Sequence, residues 1–203
     1  MQQKIVFATN NAHKLKEIQS LLVNHFQLLS LKDIGFSGEI PETNPTIEEN
    51  AIQKAEFIYQ KYKVPCFADD TGLEVESLNG EPGVLSARYA GIINDSEEKK
   101  SNANIQKLLI NLKTHVNRKA RFKTVIAYIN NSETLLFEGI IDGMITTELK
   151  GTDGFGYDPV FIPEGYTTTF AEMSLSEKNI VSHRARAFSK FVNFMNSKNI
   201  LPE

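Results

Sequence analysis

The sequence predicts an α/β protein in which helices flank a long mixed β-sheet. Apolar patterns typical of strands and of helices alternate in the first half of the chain, and a hairpin pattern follows later. A purely parallel sheet would lack such a hairpin, so both strand directions are expected. No internal repeat or long linker divides the 203 residues, which fit a single domain.

The first three elements are predicted to be a strand, a helix and a strand. The continuous apolar run "KIVFA", residues 4–8, is typical of a buried strand. Apolar residues recur at helical spacing through "LKEIQSLLVNHF", residues 15–26, which predicts a helix after the polar turn "TNNAHK". "QLLSL", residues 27–31, then predicts a second strand.

The next region predicts a helix and two short strands. The helix begins near Thr46, because Glu49 follows it at capping-box spacing. "VPCFA", residues 64–68, and "LEVESL", residues 73–78, read as separate strands. Asp69 and Asp70 therefore fall where a strand is predicted to end.

The second half of the chain predicts a helix, a hairpin and a last helix. Apolar spacing over residues 96–113 indicates the first helix. "FKTVIAYI" and "TLLFEGIIDGMIT" flank "NNSE", which favours a hairpin. After the glycine-rich loop "GTDGFGYDPVF", residues 151–161, a helix is expected from Ser174 to Lys198, because Ser174 and Glu177 again have capping-box spacing.

Composition argues against a nucleic-acid or membrane partner. The net charge of −3 lacks the basic surplus of nucleic-acid binders. The basic cluster "RKARFK", residues 118–123, is interpreted as a solvated strand edge. No apolar run approaches the roughly 20 residues of a membrane span, and no signal-peptide pattern is present. The single cysteine, Cys66, is expected to be a buried, inert thiol in a cytoplasmic protein.

The stretch "TNNAHK" is a candidate phosphate site. It lies between a predicted strand and helix, where unpaired backbone N–H groups and the helix dipole attract anions. Thr9, Asn10 and Asn11 can donate hydrogen bonds, and Lys14 adds a cation. The stretch lacks the Walker pattern. The alternative is an ordinary helix N-cap followed by an exposed lysine.

Four acids, Glu42, Glu49, Asp69 and Asp70, are candidates for metal binding or proton transfer. Mg²⁺ is typically held by one or two carboxylates together with phosphate oxygens and waters. Because successive strand side chains point to opposite faces, only one of Asp69 and Asp70 needs to face a given site. The alternative is a turn with one solvated acid.

Two further stretches are candidates for contact with a nucleobase, the first with any flat partner and the second, through Arg184, with purine O6 and N7. "GFGYDP", residues 154–159, spaces two aromatic rings with glycines, and aromatic faces stack on bases. "SHRARAF", residues 182–188, supplies His183 and Arg184 as neighbouring donors, with Lys178 upstream. The alternatives are a tight turn around a core aromatic, and basic residues that complement the C-terminal half of a helix.

In this order and spacing, six segments closely resemble the inosine triphosphate pyrophosphatase family. They are "ATNNAHKLKEI", "ENAIQKA", "FADDTGLEV", "PGVLSARYAG", "GFGYDPVF" and "EKNIVSHRARA". Each is unspecific alone, but together they span residues 8–187, which is nearly the whole chain.

The resemblance implies a fold and an activity. It implies one two-lobed domain over residues 1–203, with a long mixed sheet, a central substrate cleft and a homodimeric assembly. It also implies Mg²⁺-dependent hydrolysis of ITP, dITP and XTP to the monophosphate and pyrophosphate, which cleanses the nucleotide pool. The order of preference among these three substrates and the means of rejecting guanine stay open.

The resemblance also implies roles for individual residues. Glu42 and Asp70 match the metal-associated acids, and Asp70 matches the proton acceptor, with Asp69 beside it as a second catalytic acid. Asn10 departs from the glycine of many members, and Thr71 from the commoner serine. The residues that match substrate contacts are Thr9, Asn10, Asn11, Ala12, His13, Lys14, Thr71, Phe155, Gly156, Tyr157, Asp158, Lys178, His183 and Arg184.

These roles lead to a mechanistic hypothesis. Asp70 orients or deprotonates a water that attacks the α-phosphate, and Lys14 with the helix N-terminus stabilises the leaving pyrophosphate. Donors such as His183 and Arg184 suit a 6-oxo purine and leave adenine mispaired. Two rival readings are a Maf-like pyrophosphatase acting on pyrimidine or modified nucleotides and a nucleotide sensor without catalysis. The purine-directed "SHR" stretch disfavours the first reading, and the full set of acids disfavours the second.

Overall fold

The computed structural model describes residues 3–22, 26–92, 95–131 and 133–197. Within them lie seven strands: β1 (Lys4–Phe7), β2 (Gln27–Leu29), β3 (Cys66–Val75), β4 (Pro82–Gly83), β5 (Lys119–Asn130), β6 (Glu133–Ile145) and β7 (Phe161–Pro163). The same residues contain five α-helices: α1 (Ala12–Leu21), α2 (Ile47–Tyr62), α3 (Glu97–Asn111), α4 (Leu175–Val181) and α5 (His183–Ser197).

The strands form one mixed sheet, which confirms the predicted fold class. Its order is β2-β1-β3-β5-β6-β7, and β4 pairs with β3. Strand β1 runs parallel to both β2 and β3, whereas β3–β4 and β6–β7 are antiparallel. The parallel pairs belong to the alternating first half of the chain. Strands β5 and β6, joined by residues 131–132, correspond to the predicted hairpin.

The chain divides into two compact units, each built from separate segments. The first unit comprises residues 1–70, 124–139 and 184–203. The second unit comprises residues 71–123 and 140–183. Consecutive residues therefore belong to different units at Asp70–Thr71 and at His183–Arg184. The single two-lobed domain and its central cleft stay predictions.

The core of the first unit is aromatic. Phe7 of β1 and Phe67 of β3 stack with ring centroids 4.6 Å apart, and Phe191 of α5 packs 5.1 Å from Phe67. Burying each such side chain contributes about 2–3 kcal/mol before entropy is counted. Cys66 lies fully buried beside this layer, and burial raises the pKa of its thiol to about 12. This burial confirms the predicted inert cysteine.

In the second unit, the sheet has one covered and one open face. The covered face packs Phe122 of β5 and Phe161 of β7 against Leu108 of α3. Alternate side chains, such as Arg121 and Met144, point to the open face, as expected for a half-solvated sheet. A groove of about 730 Å³ follows this open face, and none of the predicted site residues lines it.

Strand β3 corrects the predicted chain path around the paired acids. The sequence predicts two short strands with Asp69 and Asp70 at the end of the first, but β3 runs unbroken from Cys66 to Val75. Aspartate is a poor strand former because its carboxylate is costly to bury. In this strand both carboxylates form ion pairs with covered lysines. These pairs offset the cost of burial, so the strand continues despite the poor strand propensity of aspartate.

The last predicted helix is also corrected. Ser182 is extended, with φ −67° and ψ 153°, and it separates α4 from α5. His183 and Arg184 therefore begin a helix instead of lying in the C-terminal half of one. The capping box of Ser174 and Glu177 is confirmed. The predicted end at Lys198 lies outside the described residues.

Other predictions have mixed outcomes. Thr46 caps α2 as predicted, accepting a hydrogen bond from Glu49 N at 3.2 Å. The helix over residues 96–113 is confirmed as α3, with Ser96 as its N-cap. The predicted first helix is shorter than expected, because α1 ends at Leu21. The basic cluster at residues 118–123 is not a sheet edge, because β5 lies between β3 and β6.

Gly143 on β6 generates a prediction about folding. A Cβ atom there would lie 2.2 Å from the carbonyl oxygen of Ile162 on β7. Backbone atoms of a paired strand cannot yield cheaply, so Gly143→Ala is expected to lower the free energy of unfolding by roughly 3 kcal/mol. Urea unfolding measures this loss. Met144→Ala, on the exposed neighbour, is the matched control, and equal losses in the two variants would contradict the close-approach explanation.

Candidate active site

The stretch between β1 and α1 is shaped by Asn11. Asn11 is the N-cap of α1, and its side-chain oxygen accepts from His13 N at 2.9 Å and Lys14 N at 3.1 Å. The oxygen of Thr9 accepts from Asn11 N at 3.2 Å. Ala12, His13 and Asn10 are exposed at the surface. The side-chain oxygen of Asn11 therefore acts as an ordinary N-cap, as the alternative interpretation predicted. This cap fixes the position of the helix N-terminus that was predicted to bind anions.

Lys14 is largely covered, whereas the alternative interpretation of this stretch predicted an exposed lysine. Its ammonium lies 3.0 Å from Asp69 Oδ1, and 86% of its side chain is covered, since 14% is accessible. Burial lowers the pKa of Lys14, although Asp69 opposes that shift. The lysine thus presents a partly desolvated cation at the first turn of α1.

Asp69 is a buried anion held by two cations. Besides Lys14, the Nε of Arg184 donates to Asp69 Oδ2 at 3.0 Å. Burial opposes ionisation, but the charges of Lys14 and Arg184 hold the pKa of Asp69 well below its ordinary value. Arg184 also donates from Nη1 to the buried Glu17 of α1. A carboxylate held this strongly ionised is a poor proton acceptor.

The surroundings of Asp70 shift its pKa in the direction opposite to that of Asp69. Lys54 of α2 donates to Asp70 Oδ1 at 2.9 Å and to Glu42 Oε1 at 2.5 Å. Burial raises the pKa of Asp70 above its ordinary value, and Lys54 only partly offsets this shift. Neighbouring carboxylates whose pKa values are driven apart indicate separate acid–base roles. Asp70 is therefore the better candidate for a base.

Glu42 and Asp70 can share a cation, because both already contact the Lys54 ammonium. Among the described residues, no three His, Cys, Asp or Glu side chains gather as a protein-only metal centre would require. Mg²⁺ commonly binds one or two carboxylates and completes its shell with substrate phosphates and waters. The donor set therefore fits a metal brought or completed by a phosphate substrate.

Glu49 drops out of the candidate acids. Its carboxylate accepts from Thr46 Oγ1 at 2.9 Å, while its own N–H donates back to that oxygen. It is exposed and serves the N-terminus of α2. Its role is therefore structural.

Sequence reasoning missed Lys54 and Glu17 as members of this cluster. Lys54 lies on the apolar face of α2, with Ala51, Ala55 and Ile58, and is buried there. Glu17 is buried next to Ile18 on α1. A charged residue inside an apolar helical stripe needs a buried partner. That signal could have identified both residues, although not their partners.

The loop of residues 154–158 is organised around Asp158. Asp158 Oδ2 accepts from Phe155 N at 2.8 Å and from Lys178 Nζ at 2.6 Å. Gly154 has φ +78°, and a Cβ there would lie 2.2 Å from Asp158 Oδ2. Lys178 also lies 5.0 Å from the centre of the Phe155 ring. Phe155, Asp158 and Lys178 thus form a second cluster, in the second unit.

The remaining predicted residues have different surroundings. Tyr157 is buried and donates to Ser86 O at 2.9 Å, so its side chain belongs to the core, as the alternative reading held. Thr71 and Gly156 are half-buried. His183 is buried at the start of α5. The base contacts predicted for Tyr157 and His183 stay predictions.

None of the helices in the described part of the chain combines the length and the apolar character of a membrane span.

Comparison with known proteins places the chain among one group of relatives. A family model described as the Ham1 family matches residues 5–194. The dITP/XTP pyrophosphatase of Christiangramia forsetii is 52% identical over 95% of this chain and 98% of its own length. That of Porphyromonas gingivalis is 50% identical over 95% of this chain and 97% of its own.

Solved structures agree with the fold. The Staphylococcus aureus Ham1 protein matches with a TM-score of 0.85 and 36% identity, over 97% of this chain and 100% of that one. A HAM1 protein from Coxiella burnetii matches with a TM-score of 0.86 and 36% identity, over 96% and 99% of the two chains. The α/β architecture described above is therefore shared with these proteins.

The ion pairs of Asp69 predict a pH-dependent loss of stability in Asp69→Asn. Removing the carboxylate leaves the covered Lys14 without its partner charge and leaves Arg184 with Glu17 alone, which costs about 3 kcal/mol at pH 7. The wild-type contribution is complete above the unfolded pKa of aspartate, about 3.9, and is lost as the pH falls through the lowered folded pKa. The difference between wild type and variant should therefore be equal at pH 7 and pH 5 and shrink only in stronger acid.

Urea unfolding at a series of pH values tests this expectation. Asp142→Asn, at an exposed position on β6, is the control and should change stability little at any pH. A stability difference for Asp69→Asn that shrinks between pH 7 and pH 5 would contradict a lowered pKa.

Proposed function

From the premise that this chain belongs to the Ham1 family, we infer that it is a pyrophosphatase of non-canonical purine nucleoside triphosphates such as dITP and XTP. It hydrolyses them to the nucleoside monophosphate and pyrophosphate. The observation that supports this conclusion is the 50–53% identity to dITP/XTP pyrophosphatases over 94–95% of this chain. The opposed surroundings of Asp69 and Asp70 supply a mechanism for it.

We propose that the first unit handles the phosphates. The N-terminus of α1 offers backbone N–H groups and a favourable dipole to an anion. Lys14 and Lys54 are covered lysines whose present partners are carboxylates. Each can exchange part of that pairing for a phosphate oxygen, which carries the same charge. These cations offset negative charge that develops on the leaving pyrophosphate.

Asp70 is proposed as the residue that orients the attacking water and accepts its proton. Of the two aspartates, Asp70 is the less strongly held in its ionised form and is not engaged by Lys14 or Arg184, so it is the better candidate to orient a water and accept its proton. Attack at the α-phosphorus breaks its bond to the bridging oxygen, so pyrophosphate leaves and the monophosphate keeps the new oxygen. Asp69 stays ionised and holds Lys14 and Arg184 in place.

The metal ion is proposed to be Mg²⁺, held by Glu42 and Asp70. It would neutralise charge on the phosphate oxygens. The support is the contact of both carboxylates with one ammonium group and the preference of Mg²⁺ for such oxygen ligands.

We propose that the second unit recognises the base. The Phe155 ring offers a flat face for stacking on a purine, and Lys178 and Asp158 supply a cation and an acceptor beside it. His183 is proposed to donate to the 6-oxo group, which adenine lacks. Arg184 is proposed mainly to orient Asp69, because Asp69 and Glu17 engage its guanidinium.

A homodimer and a cytoplasmic location are further proposals. The homodimer rests on the family resemblance, and the cytoplasmic location rests on the single buried cysteine, which is consistent with a reducing compartment. Sedimentation equilibrium of the purified protein would measure the assembly, and a monomer at micromolar concentration would oppose the dimer.

Substrate turnover tests the function directly. With Mg²⁺ present, dITP, ITP and XTP are expected to release pyrophosphate at rates far above those for ATP and GTP. Chromatography that resolves pyrophosphate from orthophosphate gives the readout. Orthophosphate release would move the attack to another phosphorus. Purine binding without turnover would favour a sensor, and turnover confined to pyrimidine nucleotides would favour a Maf-like enzyme.

Asp70→Asn tests the proposed base. The amide cannot accept the proton, so kcat for XTP is expected to fall by roughly 10²–10⁴-fold. The KM should change much less, because the phosphate-binding cations remain. Steady-state kinetics at saturating Mg²⁺ measure both constants, with Asp142→Asn as the matched surface control. A fully active Asp70→Asn enzyme would remove Asp70 from this role.

A further inference from the structure

The imidazole of His183 lies flat against the ring of Phe122. The two ring centroids are 4.5 Å apart and the planes differ by 15°. Both side chains are buried, at 3% and 6% exposure. Phe122 belongs to the "RKARFK" cluster, where it is one of the side chains directed into the core of the second unit.

Stacking constrains the direction in which an imidazole can donate. Its N–H groups lie in the ring plane, and a hydrogen bond weakens steeply when its angle falls below about 120°. A flat neighbour at stacking distance fixes that plane, because tilting the imidazole would drive its edge into the phenyl face. The stack therefore limits which atoms His183 can reach.

Phe122 is itself held by aromatic neighbours. Phe161 meets it at 4.7 Å in an edge contact, with planes at 64°. Phe170 lies 6.1 Å from Phe122 and 6.1 Å from His183. Aromatic pairs of this kind add stability beyond the area that they bury. Several core contacts thus hold Phe122, so the loss of the one edge contact with Phe161 is expected to leave its flat face against the imidazole.

We propose that Phe122 is a positioning residue for base selection, because it fixes the plane in which His183 donates to a 6-oxo purine. The inference rests on the proposed function, in which His183 meets the base. Phe122 does not touch the substrate in this proposal. Its effect should therefore appear as lost discrimination between 6-oxo and 6-amino purines, which a purely structural role would leave unchanged.

Phe122→Leu removes the flat face and keeps apolar bulk. The kcat/KM for XTP and dITP is expected to fall about tenfold or more, as misplaced groups commonly cause, while the low value for ATP stays unchanged. Phe122→Tyr keeps the ring and should restore discrimination. Phe161→Leu is the matched control, because it makes the same change in a ring that meets Phe122 edge-on. It should lower stability with little loss of discrimination.

Proton NMR of His183 gives a readout that is independent of activity. The ring current of Phe122 shifts the imidazole carbon-bound protons upfield, so Phe122→Leu should move them downfield and Phe161→Leu should not. If Phe122→Leu fails to fold, Phe122→Met provides a flexible replacement of similar volume. Lost stacking with unchanged XTP-over-ATP discrimination in either variant would overturn the proposal.

His183→Ala separates this proposal from the function on which it rests. If His183→Ala keeps full discrimination, the assigned base contact fails, and the positioning role fails with it. If His183→Ala loses discrimination while the unstacked Phe122 variants keep it, only the positioning role fails. Parallel losses in His183→Ala and Phe122→Leu, with rescue by Phe122→Tyr, support both.

Discussion

The organisation of the first unit depends on one buried carboxylate, Asp69. Lys14 of α1 and Arg184 of α5 both end on it, so two helices are fixed to the strand that carries the acids. Such pairs contribute little net stability when complete, but losing one member leaves buried charge uncompensated. The same contacts define where the N-terminus of α1 and the first turn of α5 lie. A structural ion pair thereby sets the geometry of the proposed phosphate site.

Two adjacent aspartates have different surroundings because a strand alternates its side chains. Asp69 points to one set of cations and Asp70 to another, so each carboxylate has its own electrostatic surroundings. The first is held as a permanent anion, and the second is more basic than usual. A turn would have let both acids reach water and lose that contrast. The continuity of β3 is therefore part of the proposed chemistry.

The sequence was most informative where local patterns decide the structure. The caps of α2 and α4, the helix α3 and the hairpin strands follow from short-range rules. The unbroken β3 and the break at Ser182 depend on partners far along the chain, which periodicity does not reveal. Lys54 and Glu17 show the same limit. A charged residue on the apolar face of a helix predicts a buried partner of opposite charge, but it does not predict which residue that partner is. Motif order predicted the paired acids as candidates, but the difference between their surroundings was visible only in the three-dimensional contacts.

The burial of Cys66 has a practical consequence for labelling. Its thiol donates to Ala55 O at 3.3 Å, and its pKa is about 12, so almost none of it is thiolate at neutral pH. With no other cysteine in the chain, the native protein behaves toward alkylating reagents as if it were free of cysteine. A cysteine introduced on the open face of the second unit can therefore carry a fluorophore or spin label without removal of the native residue. The same chemistry protects the resting enzyme from thiol oxidation.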